Sequence, residues 1–399
     1  MLRVKLSVAV TVGLLVTLMP FSAWADSATP VPIAGLANVR SITADGYVLL
    51  GNATVQKIDQ SGNVAVVPGA RGVAKIVDET ATYGLRTDGT VLAWGTGEFG
   101  ALGNGQTHDS AKAVRVKGLT RITQIAAYGS TAYALRRDGT VWAWGYGAQG
   151  QLGTGKRKNS NVPVRVKGLS KVTAVYASGG AYGEEVTAYA VRSDGRVFAW
   201  GRGSDGQVGV ASRKDQLIPV IIRGFTNVKF ITGGWGATFA LKNDGSVWAW
   251  GHSNGALGDG TITDRTRPHR VPGVTDAIAV DGGLNTGYAL LANGEIWAWG
   301  WNAAGQLGDG TNIDRPTPAR VGGLPAMATL DVGPYEVSAI ASDGTAWFWG
   351  DSGPDFTGFL PSSTTAISLG LSSAVTALAG PWALAIDGTV WRWQAASST

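Results

Sequence analysis

The sequence contains no cysteine, which excludes disulfides, thiolate metal ligands and a cysteine nucleophile together. Charged side chains are only 15% of the 399 residues, and there are three histidines. His108, His252 and His269 lie far apart in sequence, without carboxylates at matching spacing, so they read as loop residues instead of metal ligands or general bases. Long apolar runs are scarce as well. The run from Leu6 to Met19 is broken by Ser7, Thr11, Gly13 and Thr17, and falls short of the roughly 20 residues a membrane-spanning helix needs. With Arg3 and Lys5 before it and Pro20 and Ala23-Trp24-Ala25 behind, it has the layout of a cleavable signal peptide. Residues 1–25 are therefore expected to be a leader and the chain exported, periplasmic or extracellular, with no stable membrane insertion.

What is abundant is glycine, 59 residues, as in a turn-rich all-β chain. The stretch Ala134–Gly145, ALRRDGTVWAWG, has two runs alternating with period two around Asp138-Gly139, a hairpin whose turn is expected to be type I′. Seven copies recur, with turn glycines Gly89, Gly139, Gly195, Gly245, Gly294, Gly344 and Gly388. A period near 50 residues with several strands per unit predicts an all-β fold, a seven-bladed β-propeller over 63–393. Residues 26–62 match poorly and are expected to be a partial or degraded repeat, with Asp45-Gly46 as its hairpin turn and Ser61-Gly62 as a rival register. Residues 394–399 are a tail.

Aligned copies divide the unit into four strands: Val114–Val116, Ile122–Ala127, Ala132–Arg136 and Val141–Trp144. In the last, Trp142 and Trp144 share one face and Val141 and Ala143 the other, so successive units interlock bulky against small. The first strand, with Arg115, Arg165, Arg270 and Arg320 in one register, suits a charged outer edge. Val64–Val67, having no earlier unit to join, is expected to pair with Trp391–Trp393 and close the ring.

The repeated DGxVWAWG, followed by GQLGxG as in Gly150–Gly155 and Gly305–Gly310 or by GALGxG, resembles the regulator-of-chromosome-condensation repeat. The resemblance covers about 330 residues and resembles in particular a secreted bacterial member. It implies a seven-bladed propeller that binds macromolecules through one face. Functions in the family include guanine-nucleotide exchange with chromatin binding, and inhibition of β-lactamases by a secreted bacterial protein. Inhibition of an exported enzyme and nucleotide exchange inside a host cell are thus the alternatives to a general protein-binding role. The final loop, Asp351–Thr364, departs from the pattern by lacking GQLG.

Catalysis finds little support. GxGxxG occurs at Gly95–Gly100, Gly145–Gly150 and Gly201–Gly206, but the dinucleotide fingerprint needs a strand, a turn and a helix, and none follows. Gly150–Lys156 approaches a phosphate loop, with Arg157 where Ser or Thr is required. Asp259 with Asp264 and Asp309 with Asp314 give DGTxxD twice; calcium could use these oxygens, whereas aspartates in turns more often bond their own backbone. The expectation is a non-enzymatic chain without cofactor or metal.

Charge is polarised along the chain. Asp109–Lys171 holds twelve Lys or Arg against two Asp, with Lys156, Arg157 and Lys158 as the tip of a basic patch that could meet an anionic surface; nucleic acid is not expected for an exported chain. In a meander the loops after the second and fourth strands of the unit share one rim. Trp235, Trp301 and Trp382 fall there, with Tyr128, Tyr146, Tyr182 and Tyr335. Trp and Tyr favour interface centres, so these seven are the expected contacts to a protein partner.

Overall fold

The computed structural model describes residues 28–395 except 60, 181–183, 352–362 and 372; the expected leader and Tyr182 lie outside the described residues. Each hairpin copy begins from the same local chemistry. Asp138 Oδ1 accepts hydrogen bonds from the Thr140 amide at 3.0 Å and hydroxyl at 2.6 Å, and the Gly139 N–H donates to the Arg136 carbonyl at 2.9 Å. Only Gly139 is left-handed, at φ 76°, while Arg137 and Asp138 keep negative φ. The turn is thus type I followed by a glycine bulge, not the expected type I′. A Cβ on Gly139 would also stand 2.8 Å from Lys171 Cα, so the chain entering the next blade tolerates only glycine.

The described strands form eight antiparallel four-stranded sheets, not seven. Blade 3 shows the plan, from the axis outward: Ile122–Tyr128, Thr131–Arg136, Val141–Gly145 and Ser160–Arg165. In chain order the blades open at Val39, Val73, Ile122, Val172, Val228, Ala277, Asp331 and Val375. The extra blade is the segment read as degraded: Val39–Ile42, Tyr47–Leu50, Thr54–Ile58 and Val64–Arg71 form a complete sheet. Its hairpin turn lacks Asp-Gly and instead uses Ala53 at φ 62°. Asp45-Gly46 sits one turn earlier, between its first and second strands. Ile58 takes the place of the second tryptophan, so neither signature survives although the packing does.

Closure follows the expected principle with a different strand. Val64–Arg71 is the outer strand of blade 1, and Ala28–Pro32 pairs antiparallel with Trp391–Ala395 to complete blade 8. The propeller therefore begins at 28, within the segment assigned to a partial repeat, and extends past 393. The Ile33 N–H donates inward to the Val390 carbonyl at 2.7 Å, so amides two and four residues earlier also face inward. Pro30 and Pro32, which lack N–H, occupy the outward positions.

Alternation in the third strand does the interlocking. Trp144 is fully buried against blade 2, and Trp142 packs half-buried on the same cluster. Val141 and Ala143 face the other way, into the cluster holding Trp200 of blade 4. The repeated loop clips neighbouring blades. The Gln151 carbonyl accepts from Tyr133 Oη of its own blade at 2.9 Å and from Trp200 Nε1 of the next at 2.8 Å. Ala101, Gln207 and Gln306 do the same. GQLG is thus a joint between sheets. Among the described residues blade 1, with only 59–63 in that connection, brings no such carbonyl, and Trp94 Nε1 has no hydrogen-bond partner.

Candidate functional site

Two rims follow from this plan. One carries the compact type I turns and the short links between blades. The other carries the first hairpin turn of each blade and the long connection to its outer strand, such as 146–159 in blade 3.

On this loop rim the aromatic residues separate into three groups. Trp235 is exposed, at 39%. It lies in the two-residue turn after Val228–Gly234, with φ 46° followed by Gly236 at 85°. A left-handed bulky residue is an outlier costing on the order of 1 kcal/mol or more. The position that matches Trp235 is Gly129 at φ 51° in blade 3 and Leu284, with negative φ, in blade 6. Trp301 and Tyr335, half-buried, meet edge to face at 6.1 Å across blades 6 and 7. Tyr146 pairs likewise with Phe99 at 5.0 Å. Tyr128 reaches the Gly180 carbonyl at 3.1 Å, and burial pushes its phenol up to about 12.

Trp382 does not belong with these. It begins the strand Trp382–Ala385, is 4% exposed, and donates Nε1 to the Ala44 carbonyl at 3.1 Å. Pairing places it where blade 3 has Tyr133, so it is a core residue. That signal was present in the sequence, since Trp382 precedes ALAIDG as Tyr133 precedes ALRRDG. The sequence gives no comparable sign for Ile262 and Ile313, exposed at 75% and 73% on the long connections of blades 5 and 6. With Trp235, Trp301 and Tyr335 they lie on the loop-rim turns and connections of blades 5 to 7.

The basic patch also divides. Lys156, Arg157 and Lys158 are all exposed, but Arg157 pairs with Asp215 at 2.7 Å and bonds the Ala148 carbonyl. Arg213 repeats this one blade on, with Asp264 at 3.0 Å and the Ser204 carbonyl. Arg157 is therefore a clip between successive loops.

The DGTxxD loops use their oxygens internally. Asp309 Oδ1 accepts from the Thr311 amide and hydroxyl, and its other oxygen pairs with Arg315; Asp259 serves Thr261 and Arg265 alike. Asp264 and Asp314 accept from the Ser253 and Asn302 amides. Among the described residues no three His, Cys, Asp or Glu side chains are grouped to hold a metal ion, and no helix is long and apolar enough to cross a membrane.

Around the axis stands a set of carboxylates that the sequence does not single out. Asp281 and Asp331 occupy the same register of neighbouring inner strands. Although Asp331 is exposed, desolvation by the inner strands around it raises its carboxyl to about 6, with the nearby Asp281 carboxylate adding to it. Burial likewise raises Glu336 to about 7 and Glu79 to about 8. Glu336 stands in the register of Thr286 and Thr187 in the second strands of other blades, a departure visible only once the register is known.

A family profile described as RCC1-like domain matches residues 50–335. The Arabidopsis thaliana ultraviolet-B receptor UVR8 is 34% identical over 192 residues, 47% of this chain and 42% of the receptor. The Homo sapiens E3 ubiquitin-protein ligase HERC2 is 35% identical over 89 residues, 21% of this chain and 2% of the ligase. Among solved structures, human WBSCR16 superposes with TM-score 0.66 at 18% identity, covering 84% of this chain and 90% of that one. Yeast RCC1 (Prp20), solved bound to Kap60, gives TM-score 0.61 at 20% identity, covering 80% and 79%.

Proposed function

The chain belongs to the RCC1-like domain family, and from that premise we propose that it is an exported, non-catalytic platform that binds a protein partner through its loop rim. The observation that carries this reading is Trp235, an exposed tryptophan held left-handed at a turn position where blade 3 has glycine. Strain kept at an exposed aromatic indicates selection for contact and not for stability. Ile262, Ile313, Trp301 and Tyr335 extend the apolar surface over adjacent blades. The yeast relative, solved with a protein bound, supports the class of partner. Export rests on the leader-like residues 1–25.

Replacing Trp235 by Asn should raise stability by about 1 kcal/mol and weaken partner binding about tenfold, near the threshold for an interface hot spot. Photo-crosslinking from position 262 should capture a protein from the exported fraction, and crosslinking from Ile386 on the turn rim should not. Equal capture from both rims, or none from 262, would refute the loop-rim reading.

A further inference from the structure

A cavity of about 860 Å³ opens on the outer flank of blade 3, lined by Phe99, Thr107, Thr154, Asn159 and Asn161, over Leu152 and Val164. Its charged lining is Lys156, Lys158, Arg165 and Lys167, with no carboxylate among the lining residues. Lys156, Lys158 and Lys167 have no ion-pair partner among the described residues and Arg165 acts only at longer range on Asp138, in contrast to Arg157, which is spent on Asp215.

The other loops show how this charge arises. In blades 2, 4, 5 and 6 the loop closes by a side-chain acceptor for an amide near its start: Asp109 for Gly97, Asp215 for Gly203, Asp264 for Ser253 and Asp314 for Asn302. In blade 3 the acceptor is Asn159, bonded to the Gly147 N–H at 2.9 Å. The hydrogen bond is kept and the negative charge is gone. A second acid is missing too. Asp259 and Asp309 answer Arg265 and Arg315 in blades 5 and 6, whereas blade 3 has Thr154 and Ser160 in those places, both lining the cavity. Asn159 thus removes an anion that those other loops keep while retaining the fold of its own; the place of Asp259 is neutral in blades 2 and 4 too, with Asn104 and Val210.

We propose that this cavity binds a small polyanion, carrying two or more phosphate or sulfate groups, between Lys156, Lys158, Arg165 and Lys167. Lysine supplies compact point charges and arginine a planar fork suited to tetrahedral oxyanions. Thr107, Thr154 and the amide groups of the two asparagines offer neutral hydrogen bonds, the Ser160 hydroxyl being donated to the Val162 carbonyl, and Phe99 is an aromatic wall for the face of a sugar ring. The site lies on the blade 3 arc of the loop rim, away from the apolar surface of blades 5 to 7, and either can fail alone.

Calorimetric titration of the full chain with sodium tripolyphosphate, and separately with sucrose octasulfate, tests the site. At least one probe should bind with one molecule per chain. The double variant Lys156→Ala, Lys158→Ala should weaken it at least tenfold with an unchanged melting temperature. Asn159→Asp, which restores the acid of the other loops and keeps the bond to Gly147, should cost about fivefold. Arg157→Ala should leave affinity within twofold. Preference for the octasulfate, diminished in Phe99→Ala, assigns sugar-borne sulfate; preference for tripolyphosphate assigns phosphate. Absence of binding by both probes, or an equal loss in Arg157→Ala, overturns the proposal, the latter because it reports diffuse attraction instead of a cavity.

Discussion

The long connections of blades 3 and 6 are two versions of one loop. Both hold a buried leucine, Leu152 and Leu307, both offer the carbonyl joint through Gln151 and Gln306, and both close through a side-chain oxygen. They differ in what remains unpaired. Around blade 6, Asp309 and Asp314 are consumed by Arg315, Thr311 and Asn302. Around blade 3 the acids are absent and the lysines face outward. The joint is fixed by backbone atoms, so the side chains around it vary without loss of the scaffold. One rim can therefore present different chemistry on different arcs.

Breaking the shared joint should affect both loops alike. A Cβ on Gly153 would meet Val166 Cγ1 at 2.7 Å, and one on Gly308 would meet Trp349 Cδ1 at 2.8 Å. Both glycines have positive φ. Gly153→Ala and Gly308→Ala should each cost about 3 kcal/mol from backbone strain and overpacking together, measured by chemical denaturation; a large cost at one site alone would deny their equivalence.

The next effect belongs to the acidic arc. Burial raises Glu336 to about 7, so the unfolded chain releases that proton at lower pH than the folded one. The associated stability is whole below the unfolded value, near 4.5, and is lost as pH rises through 7. Glu336→Gln should flatten this decline, worth roughly 2 kcal/mol, in melting profiles from pH 4 to 8, while Lys158→Gln on the basic arc should not.

The smallest effect tests the ion pair itself. Burial alone would raise Asp309, but the bonds from Thr311 and the Arg315 cation outweigh it and hold the carboxyl below the usual value. Its stability is present at neutral pH and lost as pH falls through that depressed value. Asp309→Asn, which removes the acid as Thr154 does in blade 3, should cost about 1 kcal/mol at pH 7 and progressively less as pH falls below 3.8. An undiminished penalty in acid would mean that charge is not what the pair contributes.

The repeat, its period and the interlocking tryptophans were legible because each copy writes the same turn and the same alternation. Blade 1 was not. Its Ile58 fills the tryptophan slot and its turn uses Ala53, so packing persists where the letters do not. The Asp45-Gly46 pair misled because the dipeptide marks a turn without saying which one. Trp382 was misplaced for a related reason: a tryptophan outside the repeated motif was counted as loop, although its offset from the hairpin fixed it in a core strand. The cavity on blade 3 joins Phe99 to Lys167 across 68 positions, and only the ring brings them together. Lys156 and Lys158 were visible as charge, but the separate task of Arg157 depended on Asp215 in the next loop.

The pairing of Ala28–Pro32 with Trp391–Ala395 also sets an order of assembly. The strand synthesised first among those described completes the sheet synthesised last, and this contact spans nearly the whole chain. Seven blades can hydrogen-bond within themselves as they emerge, and the eighth has to wait. Closure of so long a loop carries a large entropic barrier and comes late in folding. Until then the outer edge of Trp391–Ala395 stands open, able to accept the same strand from a neighbouring chain. Dilution during refolding should therefore favour closed monomers over exchanged dimers.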